Sequence, residues 1–198
     1  GAFNQGNTAA IYTATCTPDD SGDTVAVTVA ADKYTDTAGN DNTVSNTFDW
    51  TYDGTGPTMV ITSNTVASGA TTATAAIVLI YTSSEVTVDF VIGDITEGGD
   101  GCDQSAFTGS SMVYGSTCTV TSDGTPTVSV AAGAFSDAYG NTNGAASNTY
   151  TWTQDDTKPT MTITSDTVVS GATTATAAIV LIYTSNEVTT DFILSDIT

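Results

Sequence analysis

Apolar residues in this chain recur at a spacing of two rather than three or four. Between Asn148 and Thr153, Tyr150 and Trp152 alternate with Thr149, Thr151 and Thr153, putting rings on one face of a strand and hydroxyls on the other. Residues 58–62 alternate in the same way just after Pro57, where a strand tolerates a missing amide. Further strands are predicted over 73–82, 87–92, 111–121 and 126–132. Turn signals separate them at Ser68-Gly69, at EGGDGCDQS (97–105), at Ser122-Asp123-Gly124 and at FSDAYGNTNG (135–144). The segments 111–121 and 126–132 read as a hairpin. No segment sustains apolar residues at the helical period, so the fold class is all-β with essentially no helix.

One run breaks the alternation. Residues 75–81 (AAIVLIY) are apolar throughout, and 177–183 repeat them unchanged. A central strand with its outer face covered by a loop or large neighbours explains this, as does a strand buried against another domain or chain. On the second reading Ala75, Ile77, Leu79 and Tyr81, with Ala177, Ile179, Leu181 and Tyr183, form an assembly interface.

That recurrence belongs to a longer one. Residues 55–96 return at 157–198, offset by 102, with the same residue at 33 of 42 positions. Tyr12, Cys16 and Trp50 answer in turn to Tyr114, Cys118 and Trp152. The chain therefore divides into 1–54, the C-terminal part of one repeat; 55–156, a complete repeat; and 157–198, the N-terminal part of the next. Since Gly1 falls inside a unit, the register predicts a segment of a longer polypeptide, with targeting information outside it. A repeat of about 100 residues with about seven short strands matches one Ig-type sandwich.

Charge then removes whole classes of function. Against 22 Asp and Glu stand 2 Lys, no Arg and no His, a formal charge of −20. Lys33 and Lys158 make no basic patch, which excludes nucleic acid as a partner. Anionic membrane surfaces would repel the chain, and no apolar stretch approaches the ~20 residues needed to span a bilayer. General acid–base work falls mostly to His, and electrophilic clamps to Arg, Lys or a metal. A non-catalytic role follows.

Divalent cations are the natural partners of so acidic a chain, and calcium is the one cofactor anticipated. Ca²⁺ takes six to eight oxygens. Asp137, Asn141 and Asn143 could supply some near the linker residues Asp155 and Asp156, with Glu187 of the next unit. The matching set is Asp36, Asn40, Asn42, Asp53 and Glu85. Asp and Asn in Gly-containing loops also serve as plain turn formers. The stretch 98–103 matches the start of a GGxGxD calcium repeat but occurs once, without the stacked copies a β-roll needs.

Cys102 and Cys118 are close enough in sequence to close a loop of about 15 residues, worth roughly 3 kcal/mol in the chain-entropy model. They are expected to form an intradomain disulfide, the alternative being two buried free thiols. Cys16 is the counterpart of Cys118, with its own partner outside the sequence. A disulfide places the chain in an oxidising, extracellular setting. No Asn-x-Ser/Thr acceptor is present, so any glycan partner would be O-linked.

The segments SGATT (68–72), SEVTVDFVIGDIT (84–96), VSVAAGAFSDAYGN (128–141), SNTYTWT (147–153) and DDTKPT (155–160) resemble the bacterial Ig-like repeats of large surface adhesins and biofilm-associated proteins. Similar arrays occur in giant surface proteins of eukaryotic microbes. The resemblance covers the whole chain. It implies tandem Ig-like β-sandwich domains that form a stalk or fibre at a cell surface or in a matrix, with neighbouring repeats as partners. The rival is an adhesive module that recognises a glycan, another cell or ice.

Overall fold

A computed structural model describes residues 4–5, by backbone alone, and residues 11–198. The part of the 1–54 segment at 1–3 and 6–10 lies outside the described residues. The first segment holds β1 (Asn4–Gln5), β2 (Tyr12–Thr13), β3 (Thr24–Val27) and β4 (Phe48–Thr51). The central segment holds β5 (Met59–Ser63), β6 (Thr71–Thr72), β7 (Ala76–Ser83), β8 (Ile95–Gly98), β9 (Asp103–Ser110), β10 (Val113–Thr119), β11 (Thr127–Val130), β12 (Tyr150–Thr151) and β13 (Thr153–Gln154). The last holds β14 (Met161–Thr164) and β15 (Ile182–Ser185). Two short 3₁₀ turns, Ile92–Asp94 and Leu194–Asp196, are the helical content of the described residues. The chain is all-β, as its alternation requires.

In the central segment β5-β7-β10-β9 form a four-stranded sheet and β12-β11-β8 a three-stranded one, each antiparallel throughout. A short parallel pair joins β13 to β6. One core draws on both sheets. Ile61, Ile77, Leu79, Tyr81 and Cys118 come from the first, and Val128, Val130 and Tyr150 from the second. Phe90 is the hub between them, with ring centroids 5.8 Å from Tyr81, 5.1 Å from Tyr114, 5.7 Å from Phe107 and 5.3 Å from Phe135. Mostly edge-on or tilted, these contacts have the geometry ring quadrupoles favour. The buried Tyr81 hydroxyl lies 3.0 Å from Ser116 Oγ, which in turn donates to Gln104 Oε1 at 2.6 Å, so the polar atom among the rings is satisfied.

The unbroken apolar run is now explained, and its two faces separate. Ile77, Leu79 and Tyr81 point inward and are fully buried in the unit's own core. They do not form an exposed interface in the complete unit. Val60, Val78 and Val113 are exposed on the other face of the same sheet, with Ile80 half-buried beside them. Ala75 is exposed at the strand's entrance. In the last segment Ala177, Ile179 and Leu181 are exposed and Tyr183 half-buried, because no strand of the described chain covers them.

Three expected elements come out differently. Residues 87–92 form no strand. Thr87 makes a lone bridge to Asp137, Asp89 accepts from both the amide and the hydroxyl of Ser136, and Asp94 accepts from the Val91 amide. Side chains thus take the backbone donors a ladder would have used. The expected 111–121/126–132 hairpin is also absent, since β10 pairs with β9 and β7 while β11 pairs with β12 and β8. β9 wins the contest for β10 through a tight turn in which Ser111 takes a left-handed φ of 67°. The final strand breaks at Trp152 and changes partner, from antiparallel β11 to parallel β6, while Tyr150 and Trp152 stay on the buried face as expected.

Cys102 and Cys118 are disulfide-bonded, with Cα atoms 5.5 Å apart, and Cys16 is exposed with a free thiol. The bond ties the turn after β8 to β10. The 98–103 stretch is a turn rather than a calcium repeat: Gly99 and Gly101 both adopt φ of 66°, and Asp100 accepts from the Thr125 amide at 2.6 Å.

The assignment of the two β7 faces has a direct consequence for stability. Leu79→Ala should cost about 2–5 kcal/mol by leaving a cavity in the core, and Val78→Ala less than about 1 kcal/mol. Denaturant titration of the two variants measures the difference, and equal losses would refute the inward–outward assignment.

Candidate functional site

The 133–147 loop between β11 and β12 is built around two side chains. Asn143, fully buried, accepts from the Phe135 amide at 3.1 Å and donates to the carbonyls of Ala131 at 2.7 Å and Ala145 at 3.1 Å. Both amide hydrogens and the amide oxygen are engaged with backbone, so Asn143 acts as a structural plug of the loop. Asp137, only 3% exposed, accepts through Oδ1 from the Tyr139 and Asn141 amides at 2.8 and 2.9 Å, and through Oδ2 from Asn141 Nδ2 at 2.8 Å. The first segment repeats this arrangement. Asp36 accepts from the Ala38 and Asn40 amides and from Asn40 Nδ2, while Asn42 plugs the loop through Lys33, Tyr34, Ala30 and Thr43.

Packing of this loop creates a cluster of carboxylates. Glu85 lies two residues past β7, Asp53 two residues past β4 in the incoming linker, and one oxygen each of Glu85, Asp53 and Asp137 lie within 4.8 Å of one another. Asn141 Nδ2 also donates to the Asp53 carbonyl at 3.2 Å and so fixes linker to loop. The linker can approach this closely because residue 56 is glycine: a Cβ there would lie 2.1 Å from the Thr142 carbonyl oxygen. Ser21 clasps the other side, accepting from the Gly54 amide at 2.9 Å and the Thr55 hydroxyl at 2.8 Å. Tyr52 and Tyr139 border the same shallow depression, with Tyr139 77% exposed.

Glu85 and Asp137 are shifted in opposite directions. Burial, then the charges of Asp53 and Asp137, push Glu85 above its ordinary 4.5. Burial works upward on Asp137 too, but the Asn141 side chain and the Asn141, Tyr139 and Gly140 amides outweigh it and hold the carboxyl below 3.8. Glu85 therefore takes up a proton more readily than Asp137 does. Three convergent carboxylates with backbone carbonyls nearby are a hard-oxygen donor set of the kind Ca²⁺ takes.

The sequence had placed these residues in other groupings. Asp137 and Asn141 meet the linker that precedes their unit, at Asp53, and not Asp155, Asp156 or Glu187 at the linker that follows it. Glu85 faces Asp137 of its own unit rather than Asp36 and Asn40 of the previous one. At the second linker Asp123 takes the place of Ser21, accepting from the Asp156 amide at 2.7 Å and from the Thr157 hydroxyl. Asp123 raises Asp156 above its usual 3.8 by hydrogen bond and charge, while Thr157 lowers Asp123. Asp155 is exposed, and Glu187 accepts from Asn186 Nδ2 at 3.1 Å. The Ser21 and Asp123 clasps were missed, though their 102-residue offset was there to be read.

No family model, curated protein or solved structure matches the chain.

Linkage at Glu85 gives a signed expectation. Its folded pKa lies above the unfolded one, so its destabilising effect is absent below about pH 4.5, grows as pH rises and is complete above the folded value. Glu85→Gln should therefore melt higher than the parent at neutral pH in chelator, with the gap closing towards about pH 4. Circular-dichroism melts across that range test this, and a variant no more stable at neutral pH would count against a repulsive cluster.

Proposed function

We propose that this chain is a non-catalytic structural segment of an extracellular fibre or adhesin stalk, made of tandem Ig-like β-sandwiches. The carrying observation is that backbone pairing recurs at the sequence repeat. Met161↔Ser185 through Ile163↔Tyr183 reproduce Met59↔Ser83 through Ile61↔Tyr81, and Val27↔Phe48 reproduces Val128↔Tyr150. Each of these two pairings thus occurs twice along the chain, as expected of a repeated unit. The Ig-like assignment is supported by strand order, since β5-β7-β10-β9 with β12-β11-β8 follows the A-B-E-D and G-F-C sheets of a constant-type domain. It departs from antibody domains in its disulfide, which ties a turn to β10 rather than bridging the two sheets. The disulfide itself favours an oxidising compartment.

Calcium belongs to the same reading, at Asp53, Glu85 and Asp137. A cation there would neutralise the cluster and bind linker to loop, stiffening the joint. A second reading, adhesion, draws on Tyr139, an exposed ring beside that depression whose counterpart in the first segment is Ala38. An aromatic peculiar to one copy is what a glycan-binding face would carry.

Immunogold labelling of producing cells with antibody to this chain is expected to decorate extracellular filaments at regular intervals. Signal confined to the cell interior would overturn the structural reading, and binding on a glycan array lost in Tyr139→Ala would favour the adhesive one. For the cation, calcium is expected to raise the melting temperature of the parent more than magnesium does, and to leave Glu85→Gln less affected. Identical melts in calcium and chelator would remove calcium from the proposal.

A further inference from the structure

The disulfide of the central unit is open to attack at one end. Cys118 is fully buried and stands opposite Ile77 in the sheet, whereas Cys102, 9% exposed, lines a shallow depression at the surface. Glu97, Asp100 and Asp103 line the same depression, and neither lysine of the chain does. Asp100 is held there by the Thr125 amide at 2.6 Å. Glu97 is raised above its ordinary 4.5 by burial and then by the charge of Asp103, so these carboxylates feel one another. Gln104 Nε2 donates to Cys102 Sγ at 3.7 Å, which holds the sulfur near β9. One sulfur of the bond thus meets solvent, and it does so among three acids.

We propose that Cys102 is a site of thiol–disulfide exchange gated by charge, which reacts with thiols that carry a positive group and is closed to anionic ones. The attacking species in such exchange is a thiolate. Its sulfur enters through the depression and bonds to Cys102 Sγ, the bond to Cys118 breaks, and the electron pair leaves on Cys118 as a thiolate. A second thiolate then attacks the reagent's sulfur in the mixed disulfide and releases Cys102 as a thiolate. Two reagent thiolates have become one reagent disulfide, and the protein bond has gained two electrons. Each incoming thiolate meets three carboxylates of its own sign. Mercaptoethanol brings one negative charge and thioglycolate two, whereas cysteamine, whose ammonium balances its thiolate, brings none. Repulsion scales with the product of the charges and is screened by salt, so the ranking should be steep at low ionic strength and flat at high. The other end of the bond adds a second barrier. Cys118 has to depart as an anion into the apolar core, where burial raises a thiol's pKa and makes it a poor leaving group. The first step therefore reverses unless the adduct is stabilised, and a cationic group seated beside Glu97 and Asp103 supplies that stabilisation.

The experiment begins by blocking Cys16, exposed and free, with iodoacetamide, so that the chemistry that follows reports on the disulfide. Reduction of the folded chain by cysteamine, mercaptoethanol and thioglycolate is then followed by acid quench, alkylation and mass spectrometry. Each rate is divided by that of the same reagent on an uncharged small disulfide, which removes intrinsic differences in thiol reactivity. At about 10 mM salt cysteamine is expected to exceed thioglycolate by about tenfold or more, with mercaptoethanol between them, and the spread to shrink to about twofold at about 1 M. The first adduct should map to Cys102. Glu97→Gln combined with Asp103→Asn, both exposed positions, should flatten the low-salt ranking while circular dichroism shows the oxidised chain still folded. Equal normalised rates for the three reagents at low salt would overturn the gate. So would a ranking untouched by the double substitution, which would assign it to the net charge of −20 as a whole. A first adduct on Cys118, or rates that climb with denaturant as global unfolding does, would overturn it too, by routing exchange through the opened chain.

Discussion

Everything in the complete unit is arranged around the inward face of one strand. Ile77, Leu79 and Tyr81 are inaccessible to solvent, and the rest of the fold supplies their cover: Phe90 from the segment after β7, Val128 and Val130 from the opposing sheet, and Cys118 from the neighbouring strand. The hydrophobic effect rewards each buried aliphatic side chain by about 1.5–3 kcal/mol, so no other strand of comparable length offers as much. Once that face is closed, the ends of the strand are fixed. The turn after Ser83 then carries Glu85 to the top of the unit, where the 133–147 loop delivers Asp137 to it. Core and carboxylate cluster are consequences of the same register.

That dependence explains how much was legible in the sequence. Alternation at Tyr150 and Trp152 announced a half-buried strand, and the unbroken 75–81 run announced a strand with special surroundings, because side-chain period is a local property. Which face of that run points inward is not local. It follows from the register with β10, and the sequence alone offered both. The spurious 111–121/126–132 hairpin had the same origin, since Ser122-Asp123-Gly124 is a sound turn signal but β9, hidden behind a glycine-rich stretch, held the better claim on β10. The 87–92 segment was misread because Asp89 and Asp94 spend their carboxylates on backbone donors, which strand patterning does not register.

The candidate site was half-visible for a related reason. Composition pointed to Asp, Asn and Glu near the linkers, and the residues that converge were among those anticipated. Their partners were not, because a loop joining β11 to β12 returns to the end of the unit where the chain entered. Asn143 and Asn42 illustrate the other limit: an amide in an Asp/Asn-rich loop reads as a ligand, yet here both its oxygen and its nitrogen are bonded to the loop's own backbone.

Gly56 carries an implication for the string as an object. The first linker runs so near the Thr142 carbonyl that no side chain fits, whereas the corresponding residue of the next linker is Lys158. The two linkers, nearly alike in sequence around Pro57 and Pro159, thus differ at the one position where packing tolerates no side chain in the first.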